Sequence, residues 1–548
     1  MPREPVTPRR PACARTPRAR PGHGRATAIL MGLAVSLGAS KAAAYPGQAS
    51  RLGGIEGQGP ASRSITALHH NPAMLAGIEA TGLHASFSPG LDQRWIRRNA
   101  VDASGVPTAD LQDRLTLVNP GFQYFIGGTL YLEPFAIAAG VYTLGNDFQL
   151  ASADALRYHL APEPDAIPSQ CDGTNPSCGL NGGAMTFRTD FTFAVAWNVL
   201  SELKIGLSVH LPRLRTRFAY DNSTALSEID ARCTEVEDPR CAERLGFSGV
   251  NRWLPGTSTR PTGIDLALTL GIAYDVHRRV TLGARFRTAP LIGGGVITLA
   301  GDAVVCSPTE DGAAASGLPL CTNASSTAAI LTQRIAREVA LGAAFVIGRA
   351  KQWRLDTNLY WVDLCHDRIG EEAGVTDCAD AGAQRLTLID LNPNSSLLHE
   401  TVRYRGFQDV FGADVYATYQ LRSNIALLLS GHVNSPAVRP SATAAGNADS
   451  WRVGLSLGTV FRVRQSNVQL IPGYGVDLYV PVAVDPGAAS FDPRAATELS
   501  QAHGDLNAPL ANTVLEGRAR PSNAGHYTGL VHTFTIGIRW AERTFGAD

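Results

Sequence analysis

No stretch beyond the first forty residues offers about 18 uninterrupted apolar residues, so a helical membrane span is not expected there. Charge of neither sign dominates: 48 Lys and Arg balance 48 Asp and Glu. No basic stripe is present, which argues against a nucleic-acid partner. The cysteines lack paired Cys-x2-Cys spacing and the histidines do not cluster near them, so no zinc site and no cofactor is expected. Enzyme activity is not expected either. Ser430 and His432 share a face, but no third group is evident to orient a base, and His69-His70 supplies only two metal ligands.

What the chain does have is alternation. Its last segment sets Phe534, Ile536, Ile538 and Trp540 on one face and Thr533, Thr535, Gly537 and Arg539 on the other. The same two-residue period recurs in Gly263–Val276, where Ile264, Leu266, Leu268, Leu270, Ile272 and Tyr274 oppose Asp265, Ala267, Thr269, Gly271, Ala273 and Asp275. It recurs again at Trp451–Val463. An apolar face opposite a small or polar one, with charge at both ends of the polar face, is the pattern of a lipid-facing wall around a polar lumen.

Fourteen such segments can be read: 82–88, 117–126, 131–144, 186–199, 203–220, 263–276, 280–299, 336–347, 353–363, 404–421, 425–433, 451–463, 468–480 and 527–540. Short connections, such as Leu421–Asn424 and Arg464–Asn467, alternate with long ones near 89–116, 145–185, 221–262, 300–335, 364–403, 434–450 and 481–526. Short periplasmic turns alternating with long outside loops predict a bacterial outer-membrane barrel. The expected fold is therefore an all-β, 14-stranded antiparallel transmembrane β-barrel over residues 81–541, with a tail at 542–548.

The N-terminus reads as a targeting segment. Seven arginines between Arg3 and Arg25 precede an apolar run, Ala26–Ala39, and then Ala42-Ala43-Ala44. Cleavage after Ala44 is expected, giving a signal peptide at 1–44. The first 44 residues carry eight basic and one acidic residue, so the remainder is net acidic. Cys13 leaves with the signal. The other eight cysteines form four local pairs, Cys171 with Cys178, Cys233 with Cys241, Cys306 with Cys321 and Cys365 with Cys378, all in long connections. In an exported chain these are expected to be disulfides, with closure inside each loop the simplest connectivity. Residues 45–80 precede the first strand. They are either a leader without structure or, through Leu68, Met74, Leu75 and Ile78, a small helical plug (hatch) in the lumen.

Five places resemble the FadL/TodX family of outer-membrane transporters for hydrophobic compounds. Asn71-Pro72-Ala73, followed by Leu75-Ala76, is similar to the family's hatch motif, with Met74 where glycine is common. Gly271–Val276 and Val280–Pro290 resemble its central hairpin, Leu359–Asp363 a tryptophan-containing strand end, Asp409–Leu421 with Gly431–Pro436 a late hairpin, and His526–His532 the entry to the last strand. Two departures stand out: the tail Ala541–Asp548, and four cysteine pairs.

The resemblance implies a plugged, monomeric barrel, folded by the barrel assembly machinery among outer-membrane lipid and lipopolysaccharide. It implies passive uptake of fatty acids or aromatic hydrocarbons by loop capture, a lumenal pocket and sideways exit through the wall. Asn71, Pro72 and Ala73 would lie at the contact of plug and wall. Pro134, read in the third strand, would mark the lateral gate, or else a plain bulge; Pro120 and Pro212 are weaker candidates. Arg285, Arg287, Arg452 and Arg462 point inward. They would contact a ligand head group, or instead pair with lumen acids such as Asp265 and Asp275. Arg213, Arg215 and Arg217 would face lipopolysaccharide phosphates. Two other readings stay open: a surface adhesive barrel with disulfide-braced loops, and a general porin.

Overall fold

In a computed structural model, the residues described lie between 52 and 542. Residues 53, 56–57, 102–106, 112–113, 149–184, 224–241, 252–264, 292–294, 308–322, 349–351, 365–383, 390–399, 404–406, 441–442, 444–448, 464–465 and 487–523 fall outside the description. The expected disulfides fall there too. Both members of three pairs, Cys171 and Cys178, Cys233 and Cys241, and Cys365 and Cys378, lie outside the described residues. In the fourth pair Cys321 lies outside them, and only the backbone of Cys306 is described, in a strand opposite Ala324.

Twenty strands are described: β1 (Gly82–Val101), β2 (Pro107–Leu111), β3 (Leu115–Leu132), β4 (Phe135–Phe148), β5 (Met185–Asn198), β6 (Leu203–Ser223), β7 (Ala242–Asn251), β8 (Ala267–His277), β9 (Val280–Arg287), β10 (Val296–Ser307), β11 (Asn323–Arg334), β12 (Arg337–Ile347), β13 (Trp353–Asp363), β14 (Gln384–Leu388), β15 (Glu400–Arg403), β16 (Val410–Arg422), β17 (Ile425–Asn434), β18 (Arg452–Arg462), β19 (Val468–Val484) and β20 (Gly525–Ala541). Fourteen of them close an antiparallel barrel in the order β1, β3, β4, β5, β6, β8, β9, β12, β13, β16, β17, β18, β19, β20. Closure is the ladder of β1 on β20, from Gly82 opposite Ala541 to Arg98 opposite Gly525. A closed wall leaves no unpaired edge in lipid, where each orphan backbone group would cost several kcal/mol.

The two faces are inverted relative to a water-soluble core. Phe534, Ile536, Ile538 and Trp540 point out and are exposed, while Thr535, Gly537 and Arg539 between them are buried. On β18, Leu455 and Leu457 are 64% and 63% exposed, whereas Arg452 and Ser456 are buried. Trp197, Trp353 and Trp540 sit outward near the short-turn ends, as interfacial anchors do. Phe135 stacks on Trp197 there, and Trp353 packs tilted against Tyr419 at 4.5 Å between ring centroids.

The fourteen expected strands are these fourteen, with shifted ends. The first runs on to Val101 rather than stopping at Ser88. The segment expected to span 280–299 breaks after Arg287, and Val296 begins a separate strand. The remaining strands, β2, β7, β10, β11, β14 and β15, lie in the long connections. Five of them extend one sheet from the upper half of β6 through β7, β10, β11 and β14 to β15.

This sheet leaves the wall at a fork. β6 pairs with β8 up to His210 opposite Ala267, and with β7 from Arg215 opposite Val250. Between these points Asn251 stands in for a strand. Its Nδ2 donates to Pro212 O at 2.7 Å and to Asp265 Oδ2 at 2.7 Å, and its Oδ1 accepts from Leu214 N at 2.7 Å. Pro212, which lacks an N–H, thus sits where the ladder changes partner. Asn251→Leu would orphan the buried N–H of Leu214, at a cost of about 1–3 kcal/mol, and remove a bond from the Pro212 carbonyl. The expected result is faster hydrogen exchange in β7 and β10, with β8 and β9 unchanged.

Candidate functional site

Four pairs of cross-strand glycines on the wall each have a member that the segment before β1 approaches: Gly127 with Gly140, Gly206 with Gly271, Gly283 with Gly342, and Gly458 with Gly473. Glycine inside a strand weakens it and is found where another backbone comes close. Here that backbone is the segment before β1. A Cβ on Gly206 would fall 2.3 Å from Ala73 N, and one on Gly271 2.0 Å from Asn71 Oδ1. One on Gly283 would fall 2.0 Å from Pro60 O, and one on Gly458 2.0 Å from Ile55 Cδ1. On Gly140 it would meet Leu68 at 2.6 Å. Residues 54–73 therefore touch the inward face from β4 through β18 and β19.

The segment is built to fit these pits. Ala67–His70 form a single helical turn, α1, and Pro72–Leu75 a 3-10 turn. Asn71 separates them, extended, and caps the second turn by accepting from Ala73 N at 3.1 Å. Its Nδ2 donates to Pro60 O at 2.6 Å and to the wall carbonyl of Ile272 at 3.0 Å. Pro72 occupies the first position of its turn, where no N–H is needed. Leu52, Ile65, Leu68, Met74 and Leu75 are buried with Phe125, Tyr142 and Leu144 of the wall. Ile55 packs with Ala426, Leu428, Val460 and Ile471. Further ties come from Ser208 Oγ to Leu68 O (3.1 Å), Asn358 Nδ2 to Gln58 O (2.6 Å) and Arg63 to Asp275 (3.2 Å).

A buried ionic network holds α1. Arg285 donates to His69 O at 3.0 Å and to Glu338 at 2.8 Å. Arg287 pairs with Asp190, which Arg188 also holds at 2.9 Å. Arg287 Nη1 also lies 3.3 Å from His69 Nδ1, which makes that nitrogen the acceptor and puts the ring proton on Nε2. Tyr142 OH lies 3.2 Å from His69 Nδ1 and 3.0 Å from His210 Nδ1, and accepts from Thr192 at 3.1 Å. Desolvating such ions offsets most of their attraction, whereas stranding one partner costs about 3–5 kcal/mol. The network therefore fixes position more than it adds stability.

The four inward arginines do not converge. Arg285 and Arg287 meet at His69, paired with Glu338 and Asp190 rather than with Asp265 or Asp275. Asp265 is held by Asn251, and Asp275 by Lys204 at 2.5 Å. Arg452 stacks over Tyr479 at 4.6 Å, at the long-loop end of β18. Arg462 ends the same strand beside a short turn, about 33 Å away at the rise of an extended strand. Pro134 is not within the third strand: with Glu133 it forms the exposed two-residue turn between β3 and β4, where a proline interrupts no ladder bond. The lapse in the wall lies at the other end of β4. Pairing with β3 stops at Phe125 opposite Tyr142 and resumes at Gly121 opposite Asp147, and β4 also slips against β5 between Thr143 and Gly145. Thr143 Oγ1 accepts from Tyr124 N at 3.0 Å across the lapse. The paired glycines, Asp190, Glu338 and Tyr142 were not among the expected site residues. Inward glycines recurring in strands were their one sequence signal.

Two outcomes test this seating. Gly206→Val is expected to unseat the segment, so that trypsin cleaves after Arg63 while the barrel keeps its heat-modifiable migration in gels. The second test is pH. Burial, and next to it Arg285, pulls His70 from an ordinary value near 6.5 down to about 3, and His69 falls in the same direction. A released segment takes up protons below about 6.5 that the seated one refuses, so seating is full above that pH and weakens as pH falls towards 3. Hydrogen exchange at residues 58–80, corrected for intrinsic rate, is expected to be faster at pH 5 than at pH 7.5.

No protein-family model matches the chain, and no curated protein matches it by sequence. Solved structures do match. A Pseudomonas aeruginosa FadL homologue is similar over 90% of this chain and 97% of its own, at 11% identity and a TM-score of 0.60. The Pseudomonas putida toluene transporter TodX matches 89% of this chain and all of its own, at 11% identity and a TM-score of 0.52. A TodX monoaromatic hydrocarbon channel lacking S2 and S3 gives 10% identity and a TM-score of 0.54, over 90% and 97%. With its outward apolar band and fourteen closed strands, the chain is a barrel of the bacterial outer-membrane type. Its fold is that of the FadL/TodX channels.

Proposed function

We propose that the chain is a passive outer-membrane transporter of hydrophobic compounds, with residues 52–80 as its plug and the β3–β4 lapse as its lateral exit. The observation that carries this reading is the lapse at Phe125–Gly121 beside the apolar cluster of Phe125, Tyr142 and Leu144 on Leu68, Met74 and Leu75. An apolar solute gains by leaving water for lipid, and a sideways exit keeps it out of water throughout. Seating of the segment across the lumen supports this route over straight passage, and supports a transporter over an open porin or an enzyme. The cargo is a long-chain fatty acid or an aromatic hydrocarbon. The barrel assembly machinery would fold the chain, as a monomer, among lipid and lipopolysaccharide; Arg215, exposed above the apolar face of β6, would meet lipopolysaccharide phosphate. The external sheet of β7, β10, β11, β14 and β15 favours a second reading, binding of a macromolecule at the cell surface.

The test is uptake of labelled oleate and labelled toluene by cells lacking their own transporter. A double variant, Tyr124→Cys with Thr143→Cys, spans the lapse. Oxidised, it is expected to cut saturable uptake at least about tenfold, and reduction is expected to restore it. Deletion of residues 45–75 is expected to alter the rate while the barrel stays folded. Uptake unaffected by the crosslink would remove the lateral exit. No uptake of either compound by folded wild-type barrel would sink the transport reading and leave surface binding.

A further inference from the structure

The lapse between β3 and β4 is covered on its lipid side. Past the last pair of that ladder, Phe125 opposite Tyr142, come Tyr124 on β3 and Thr143 on β4. Thr143 stands opposite Thr189 of β5. These three alternate with the inward Phe125, Tyr142 and Asp190, so they point outward, in the rows of the exposed Ile126, Ile137 and Phe191. A side chain in those rows ordinarily meets lipid. Thr143 is instead 0% exposed and Thr189 5%.

The side chain of Tyr124 spans both threonines. Its OH lies 3.2 Å from Thr189 Oγ1, while its backbone N–H donates to Thr143 Oγ1 at 3.0 Å. β4 stands between β3 and β5, which at the usual strand spacing puts them about 10 Å apart. The phenol therefore reaches over β4 rather than lying along its own strand. Phe122, the next outward residue of β3, does the same: its ring meets Phe187 of β5 edge-on at 5.9 Å and stacks on Tyr124 at 6.5 Å. Beneath this strap β4 slips. Thr143 faces Thr189 and Gly145 faces Arg188, so Leu144 between them has no partner on β5 and is buried in the cluster with Leu68 and Met74. A bulge beside a functional site re-aims a side chain in this way. A tyrosine serving only as an interfacial anchor would aim its OH at the headgroups. This one aims at a threonine two strands away, and outside its ring lies only lipid, so the ring can turn away about its own torsions while the ladder below stays paired.

We propose that Tyr124 is a latch that shuts the lateral exit from the lipid side, and that its release sets the rate at which cargo leaves the barrel. This deepens the transport reading and rests on its lateral exit. Thr189 acts through the phenol it bonds and is a positioning residue. The latch is held by one neutral hydrogen bond and by ring contacts, so it is weak enough to open without an energy source: such a bond is worth about a factor of five in an equilibrium.

The experiment is the kinetics of labelled oleate and toluene uptake by cells expressing the full chain, with heat-modifiable migration checked for each variant. Tyr124→Phe and Thr189→Val each remove the bond and keep the shape. Each is expected to raise the maximal rate about fivefold and to leave the half-saturating concentration unchanged, since capture precedes exit. The two changes together are expected to give the same rise as either alone, because they break one bond. Thr189→Ser, which keeps the hydroxyl, is expected to rescue the wild-type rate. A purely structural role would lower the folded fraction and the rate instead. An unchanged or lower rate in folded Tyr124→Phe would overturn the latch, and so would effects that multiply in the double variant. If the oxidised crosslink of positions 124 and 143 blocks uptake while Tyr124→Phe and Thr189→Val run at the wild-type rate, the latch fails and the exit stands. If the crosslinked barrel transports as fast as wild type, exit and latch fail together.

Discussion

Everything inside this barrel depends on side chains that are missing. At Gly206 and Gly283 a single methyl group would overlap the backbone of residues 60–73, and at Gly271 the side chain of Asn71. Close approach there lets Asn71 reach the carbonyl of Ile272 and lets Arg285 reach that of His69. The polar contacts are strong in number but individually near break-even after desolvation, so they select one seating among many rather than drive it. The driving term is burial of Leu52, Ile65, Leu68, Met74 and Leu75, each side chain contributing about 1.5–3 kcal/mol. Shape decides whether that burial can occur at all.

The same economy of shape governs the wall. Lipid requires every backbone group to find a partner within the sheet. Where the ladder forks or lapses, a side chain replaces the missing strand: the amide of Asn251 at the fork, the hydroxyl of Thr143 beside Tyr124. One site is a full substitute with three bonds, the other a single bond. That difference separates the branch point from the lapse proposed as the exit.

The barrel was legible because lipid enforces strict alternation, and all fourteen strands follow from it. The external strands were not, since β7, β10, β11, β14 and β15 lie in the long connections, where the alternation was not recognised. Arg285 and Arg287 read correctly as inward, but their partners Glu338 and Asp190 lie on strands remote in sequence. Pro134 misled because a proline between two apolar runs reads as a strand interior until the turn is seen. The glycines were visible as a small face, yet what fills the space they leave comes from another part of the chain.

The seated segment precedes β1 in the chain, but Ile55 packs against β18 and β19 and Gly54 approaches Thr535 of β20. Those walls are the last to be synthesised. The first of the described residues to be made therefore cannot be fully seated until β18, β19 and β20 are in place, and the ladder of β20 on β1 both shuts the barrel and completes the seat. The end of the barrel segment that is made first thus waits on the end that is made last.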